Sequence, residues 1–230
     1  MKELHAMCAR CPHDKMERLC KKKDGKDLPT CPTSHKTELL KKSLDEYQGD
    51  VLEFAKQASI QEGSGYGNKE LGYEHTRAIK TRIEETIEFA ERMGYKRLGL
   101  VFCTGLQDEA RIVERLFTGK GFDMVSVICK AGRVPKETIG IIDDEKVAPG
   151  TEESICNPVF QAFVLNDAET EFNIMLGLCV GHDSLFMKYS DAPCTVLAVK
   201  DRVTGHNPLA ALYTLNSYYR ALKGKSSSLK

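Results

Sequence analysis

The sequence predicts an α/β fold: a doubly wound, mostly parallel sheet of Rossmann or flavodoxin type, preceded by a small cysteine-rich module that binds metal. Three observations carry this. Between residues 94 and 222, short apolar runs without a polar face alternate with helical periodicities, the pattern of parallel strands covered on both sides by crossover helices. Four cysteines crowd into residues 8–31, a stretch so short of apolar side chains that something other than a core must organise it. No cysteine then occurs until Cys103, so the nine cysteines fall into two groups.

In chain order, residues 1–35 form the cysteine module and residues 36–93 a helical segment that packs on the core, with a polar break at "EGSGYGN". Ile79, Ile83, Ile87, Ala90 and Met93 recur at helical spacing and form one apolar stripe, which Gly94 ends. The α/β domain over 94–222 opens with the strand "KRLGLVFC", the helix "QDEARIVERLF" and the strand "FDMVSVIC". A long connection with Gly and Pro leads to a helix from "NPVFQAFVLND", in which Asn157 is a good N-cap and Pro158 a good first helical residue. The strand "FNIMLGLC", a helix from "GHDSLFMKY" and the strand "CTVLAVKD" follow. Residues 223–230, basic and Ser-rich, read as a disordered tail.

Composition narrows the function classes. The chain has 33 basic and 33 acidic side chains in 230 residues, so no global field draws it to nucleic acid or to anionic lipid. The triple lysine at 21–23 lacks interleaved aromatics and a recognition helix, and nucleic-acid binding is not expected. The N-terminus has no apolar signal core, and no segment approaches the ~18 apolar residues that cross a bilayer. A cytoplasmic protein is expected, and in that reducing setting the cysteines are read as ligands, redox groups or buried side chains rather than disulfides.

Ligands of an open parallel sheet bind outside the carboxyl ends of its strands. Cys103, Cys129 and Cys179 each close an expected strand, and Cys156 stands at the mouth of a helix. Single cysteines in strands are ordinarily small buried hydrophobes, but these converge on one crevice. Three thiolates with an open position suit a [4Fe-4S] cluster or a catalytic zinc. The preferred set is Cys103, Cys156 and Cys179, with Cys129 in reserve because "KAGR" after it reads as a basic loop. Cys194 starts its strand at the opposite edge and is expected to be structural.

Nearby, His182 and Asp183 occupy the start of a helix and are candidates for moving protons, although Asp183 there also suits plain capping. Lys200, Arg202, His206 and Asn207 lie in the loop "KDRVTGHNP" at the same sheet edge and are candidates for holding an anionic small-molecule substrate.

At the N-terminus, Cys8 and Cys11 form a two-residue-spaced knuckle, and Cys20 and Cys31 complete four thiolates. That is a strong metal signal whose spacing does not name the metal. Cys11-Pro12 and Cys31-Pro32 lean towards iron-sulfur, while His13 and His35 lean towards zinc. A closed tetrathiolate site is structural or electron-transferring, not Lewis-acidic.

The cysteine module together with "RIEETIEFAERMGYKRLGLVFCTGLQDEA", "CNPV" and above all "GLCVGHDSLFMKYSDAPCTVLAVKDRVTGHNPLAALY" resembles a family of uncharacterised bacterial and archaeal cysteine-rich proteins described as metal-binding. The resemblance implies metal binding in a prokaryote, often an anaerobic one, and no particular reaction. The expectation is therefore a metal-binding protein of iron-sulfur type. Its N-terminal four-cysteine site would be a clasp or relay, and its sheet-edge three-cysteine cluster would do Lewis-acid or desulfidase-like chemistry, by analogy of site with quinolinate synthase and thiolated-base desulfidases. The alternatives are a non-catalytic protein with one structural zinc, and an electron carrier with a redox partner.

Overall fold

The computed structural model describes residues 5–223. The chain divides at Ser64/Gly65 into two compact units, so the boundary falls inside the stretch read as one helical segment. Apart from Lys223, the expected disordered tail lies outside the described residues.

The first unit opens with a one-turn knuckle over Cys8–Arg10, closed by the Cys11 N–H on the Cys8 carbonyl at 3.2 Å. The chain then doubles back so that the Leu19 and Lys26 main chains bond at 2.9 Å. Only glycine fits at residue 25 of this turn, because an added Cβ would stand 2.4 Å from the Arg18 carbonyl carbon. Helices α1 (Pro32–His35), α2 (Thr37–Asp45) and α3 (Gly49–Ser64) follow.

The second unit begins with a short antiparallel pair, β1 (Tyr66–Gly67) and β2 (Arg77–Ala78). Helix α4 (Arg82–Met93) starts at a capping box: the Glu84 N–H bonds Thr81 Oγ1 at 3.4 Å, and the Thr81 N–H bonds Glu84 Oε2 at 2.7 Å. Gly94, at φ +74°, ends it. The expected stripe holds at Ile87 and Ala90, which are buried, but Ile79 lies before the helix and is exposed. The capping box sets the start later than periodicity alone does.

Four strands, β3 (Arg97–Phe102), β4 (Asp123–Ile128), β5 (Phe172–Leu176) and β6 (Cys194–Ala198), form one all-parallel sheet in the order β4-β3-β5-β6. They alternate with α5 (Gln107–Gly119), α6 (Pro158–Asp167) and α7 (His182–Tyr189); α8 (Leu209–Tyr213) follows β6. The chain steps outward from β3 to β4 and then returns past β3 to β5. The order therefore reverses between β3 and β5, and a crevice opens at their carboxyl ends. Right-handed crossovers put α5 on one face and α6 and α7 on the other.

Past the exposed Arg97 the central strands are buried: Leu98, Leu100, Val101 and Ile174 show no exposed surface, and each such side chain contributes roughly 1.5–3 kcal/mol. Asn173 is the polar exception. Its Oδ1 accepts from Thr170 Oγ1 and its Nδ2 donates to Ser190 Oγ, both at 2.8 Å. Phe89 and Tyr95 pack their rings on Phe172, with centroids 5.4 and 5.7 Å away.

One strand ends earlier than its apolar run. β5 stops at Leu176, because Gly177, at φ +66°, turns the chain off the ladder after its N–H reaches the Ala198 carbonyl at 2.7 Å. Cys179 thus sits on the following turn and not at the strand end. The long connection after β4 is ordered by an ion pair between Lys136 and Glu153 and by Lys146, which lies 2.6 Å from Glu137 and 3.0 Å from Asp143. Among the described residues no helix is long and apolar enough to cross a membrane.

Candidate functional site

Strand register sets the site. Phe102 pairs with Ile128, so the next residues, Cys103 and Cys129, emerge side by side about 4.8 Å apart at the carboxyl ends of β3 and β4. The ladder continues past both strands: the Cys129 N–H bonds the Phe102 carbonyl at 2.9 Å, and the Cys103 N–H bonds the Leu176 carbonyl at 3.2 Å. The segment entering α6 is tied to the same place by the Asn157 N–H on the Cys129 carbonyl at 2.8 Å. Asn157 then caps α6, taking the Phe160 N–H on Oδ1 at 3.1 Å ahead of Pro158. This brings Cys156 Sγ to 3.7 Å from Cys129 Sγ.

Cys129 therefore stands in the middle of a row of three thiols. It is fully buried, and Cys103 is nearly so. Hydrogen bonding to Cys103 first, then to Cys156, together with burial, pushes the Cys129 thiol far above its ordinary pKa, against the Thr104 N–H that meets its sulfur at 3.3 Å. Its neighbours go the other way. The bond with Cys129 outweighs burial and lowers Cys103 to about 5, helped by the Gly105 N–H and the Lys200 ammonium. The same bond, with the charges of Lys130 and His182, lowers Cys156 to about 6.

Two cations complete the surroundings. The Lys200 ammonium helps to hold the Cys103 pKa down. Arg202 donates Nη2 to Cys179 Sγ at 3.1 Å and also senses the charges of Cys103 and Cys156. Among the described residues neither cation pairs with a carboxylate. The Asp201 carboxylate between them turns to the Val203 and Thr204 N–H groups, each at 3.0 Å.

Other expected site residues lie in the turns around this place. Asp183 Oδ1 accepts from the Gly181 N–H at 2.9 Å and the Ser184 N–H at 2.7 Å, and so fixes the start of α7. His206, at φ +66°, takes the Asp201 N–H on Nδ1 at 3.1 Å. The main chain of Asn207 bonds that of Thr204 at 3.4 Å; with His206 it closes the loop that carries Lys200 and Arg202. His182 keeps a buried Nδ1 without a hydrogen-bond partner among the described residues. Cys194 begins β6, with Sγ 3.4 Å from the Ala192 carbonyl, and burial raises its pKa.

Sequence reasoning gave Gln161 no part. It is wholly buried in α6, and its Nε2 donates to the Val127 carbonyl at 2.7 Å, with the Phe102 carbonyl at 3.5 Å. It thereby ties together the strand ends that carry Cys103 and Cys129. A polar residue on the face of α6 that also carries Ala162 and Leu165 was its only signal.

Cys129 and Cys156 do not fit one cubane as a pair. Ligand thiolates of a [4Fe-4S] cluster bind different irons around a cage that includes the cluster's own sulfides, so their sulfurs do not touch. Those of Cys129 and Cys156 do. Their 3.7 Å spacing matches instead two thiolates on one tetrahedral ion, about 3.8 Å apart for metal–sulfur bonds of about 2.3 Å. Yet among the described residues no three His, Cys, Asp or Glu side chains are gathered to hold a metal ion.

In the first unit, Cys8, Cys11, Cys20 and Cys31 all line one cavity of about 80 Å³, with Leu19, Leu28 and Pro32 among its walls. Burial pushes the Cys31 thiol up, but the N–H groups and hydroxyls of Thr33 and Ser34 outweigh it and hold the pKa below the ordinary value. His13 is turned away to the Asp27 carbonyl, 2.9 Å from Nε2.

A family model described as a protein of unknown function (DUF1847) matches residues 31–197. The chain belongs to the DUF1847 family. An uncharacterized protein of Methanocaldococcus jannaschii is 39% identical over 191 residues, which cover 83% of this chain and 91% of that protein. The DUF1847 span takes in Cys31 and all five cysteines of the second unit, and it leaves out Cys8, Cys11 and Cys20. It also ends before Lys200 and Arg202.

Proposed function

We propose that this chain is a metal-binding protein whose N-terminal module holds an iron-sulfur cluster on Cys8, Cys11, Cys20 and Cys31. Its second unit, of Rossmann or flavodoxin type, would offer a cationic, thiol-rich crevice to a small anionic molecule. The observation that carries the reading is the single cavity of about 80 Å³ that all four N-terminal cysteines line. It is several times the roughly 10–15 Å³ that one water needs. A lone zinc would draw four thiolates to about 2.3 Å from a single centre; a cluster spreads its ligands round a cage. With every position taken by thiolate, such a cluster supplies electron transfer or stability. The β4-β3-β5-β6 order supports the flavodoxin likeness, since it is the order 2-1-3-4 of that fold as far as it extends.

Anaerobic purification followed by iron, acid-labile sulfide and zinc analysis tests this. Iron and sulfide in equal amounts are expected, and both should be lost in Cys11→Ala and in Cys31→Ala. Metal-free protein, or metal content unchanged in both variants, would overturn the proposal. One zinc per chain that disappears with Cys8→Ala would replace the cluster with a structural zinc.

A further inference from the structure

We propose that Cys129 and Cys156 form a dithiol couple that reduces a small anionic disulfide, with Lys200 and Arg202 holding the substrate at the carboxyl edge of the sheet. This goes beyond the metal reading and concerns a different part of the chain. The two sulfurs already touch at 3.7 Å, and closing to the ~2.05 Å of a disulfide asks each to move less than an ångström. The main chains that carry them are fixed together by the Asn157 N–H on the Cys129 carbonyl, so the approach is built into the fold.

The roles follow from access. Cys156 is half-buried, whereas Cys129 is 2% exposed, so Cys156 meets the substrate and Cys129 resolves. The Cys156 thiolate attacks one sulfur of R–S–S–R, giving Cys156–S–S–R and one thiolate, which leaves as a thiol on taking up a proton. Cys129 then loses its proton and attacks Cys156 Sγ, and the second thiolate departs and is protonated in turn. Two protein thiols are oxidised to one disulfide, and the substrate disulfide is reduced to two thiols. An external dithiol restores the starting state. Substrate charge follows from Lys200 and Arg202, which stand beside the thiols with Lys130 and, among the described residues, have no carboxylate partner.

The test mixes anaerobically reduced full-length protein with 3,3′-dithiodipropionate or, separately, with cationic cystamine. The reaction is quenched with iodoacetamide and the cysteine peptides are mapped by mass spectrometry. A Cys129–Cys156 link is expected, forming about tenfold faster with the anionic disulfide, and Lys200→Gln combined with Arg202→Gln should erase that preference. Cys129→Ser should trap dithiodipropionate's half as a mixed disulfide on Cys156. Should that variant fail to fold, Cys156→Ser serves instead and should leave Cys129 unmodified. Recovery of Cys129 and Cys156 unlinked, a link from Cys129 to Cys103 in their place, or retained metal that shields both from iodoacetamide would each overturn the proposal. None of these outcomes depends on metal at the N-terminal cysteines, so the two readings fail separately.

Discussion

Arg202 holds Cys179 through a 3.1 Å bond from Nη2 to Sγ, and no carboxylate among the described residues takes up its charge. With Lys200 it makes the crevice attractive to anions. The ratio of iodoacetate to iodoacetamide reactivity at Cys156 should therefore fall about three- to tenfold in Arg202→Gln. An unchanged ratio would mean that the guanidinium serves only to pin the turn after β5. Peptide mapping after partial alkylation reads it out.

The thiolate is the nucleophile, so a pKa held below the ordinary thiol value extends reactivity towards acid. Cys156 lies at about 6, and its alkylation by iodoacetamide should fall no more than about twofold between pH 8 and pH 6.5, then drop as the pH passes below 6. Cys194 is shifted upward by burial, and its rate should fall by close to tenfold for each unit of pH lowered below 8. Parallel profiles for the two residues would contradict the row of hydrogen-bonded thiols.

Gly99 lies where β3 meets α6, and a Cβ there would come within 2.0 Å of Asn173 Oδ1 and 2.5 Å of Leu165 Cδ1. Gly99→Ala should lower stability by about 1–3 kcal/mol, the usual cost of overpacking, because the Thr170–Asn173–Ser190 bonds must shift as well. Urea denaturation checks it; an unchanged midpoint would mean that the helix can simply move away.

Gln161→Leu keeps the volume of the buried side chain but removes the donor that serves the Val127 and Phe102 carbonyls. A loss of about 0.5–1.5 kcal/mol is expected from the lost hydrogen bond, since the Phe102 carbonyl keeps the Cys129 N–H. If Gln161 also sets the spacing of the two strand ends, the Cys156 alkylation profile should move towards that of an ordinary thiol. A stability loss with no change in that profile would confine Gln161 to the core.

Much of this arrangement could be read from local pattern. The strands β3 and β4 followed from short apolar runs, and the start of α6 followed from Asn157 and Pro158, because caps and periodicities act within a few residues. The site was less legible, because its key relations are long-range. Cys129 is central through the β3–β4 register and the Asn157 bond, neither of which leaves a mark near "VICKAG". Cys179 was misplaced because the residues on both sides of Gly177 are apolar, and only the left-handed backbone at that glycine shows where the strand ends. The loop "KDRVTGHNP" mixes two jobs that composition does not separate: Lys200 and Arg202 face sulfur, while His206 is a strut for the turn that presents them.

Three sulfurs in a row also have an arithmetic of their own. Cys129 can bond only one neighbour at a time, so any disulfide made within the row leaves an odd thiol behind. If Cys156 is the partner, the leftover is Cys103, the one beside Lys200. The crevice can then never be fully spent by oxidation within the row: each oxidised molecule keeps one thiol next to the bond it has just made.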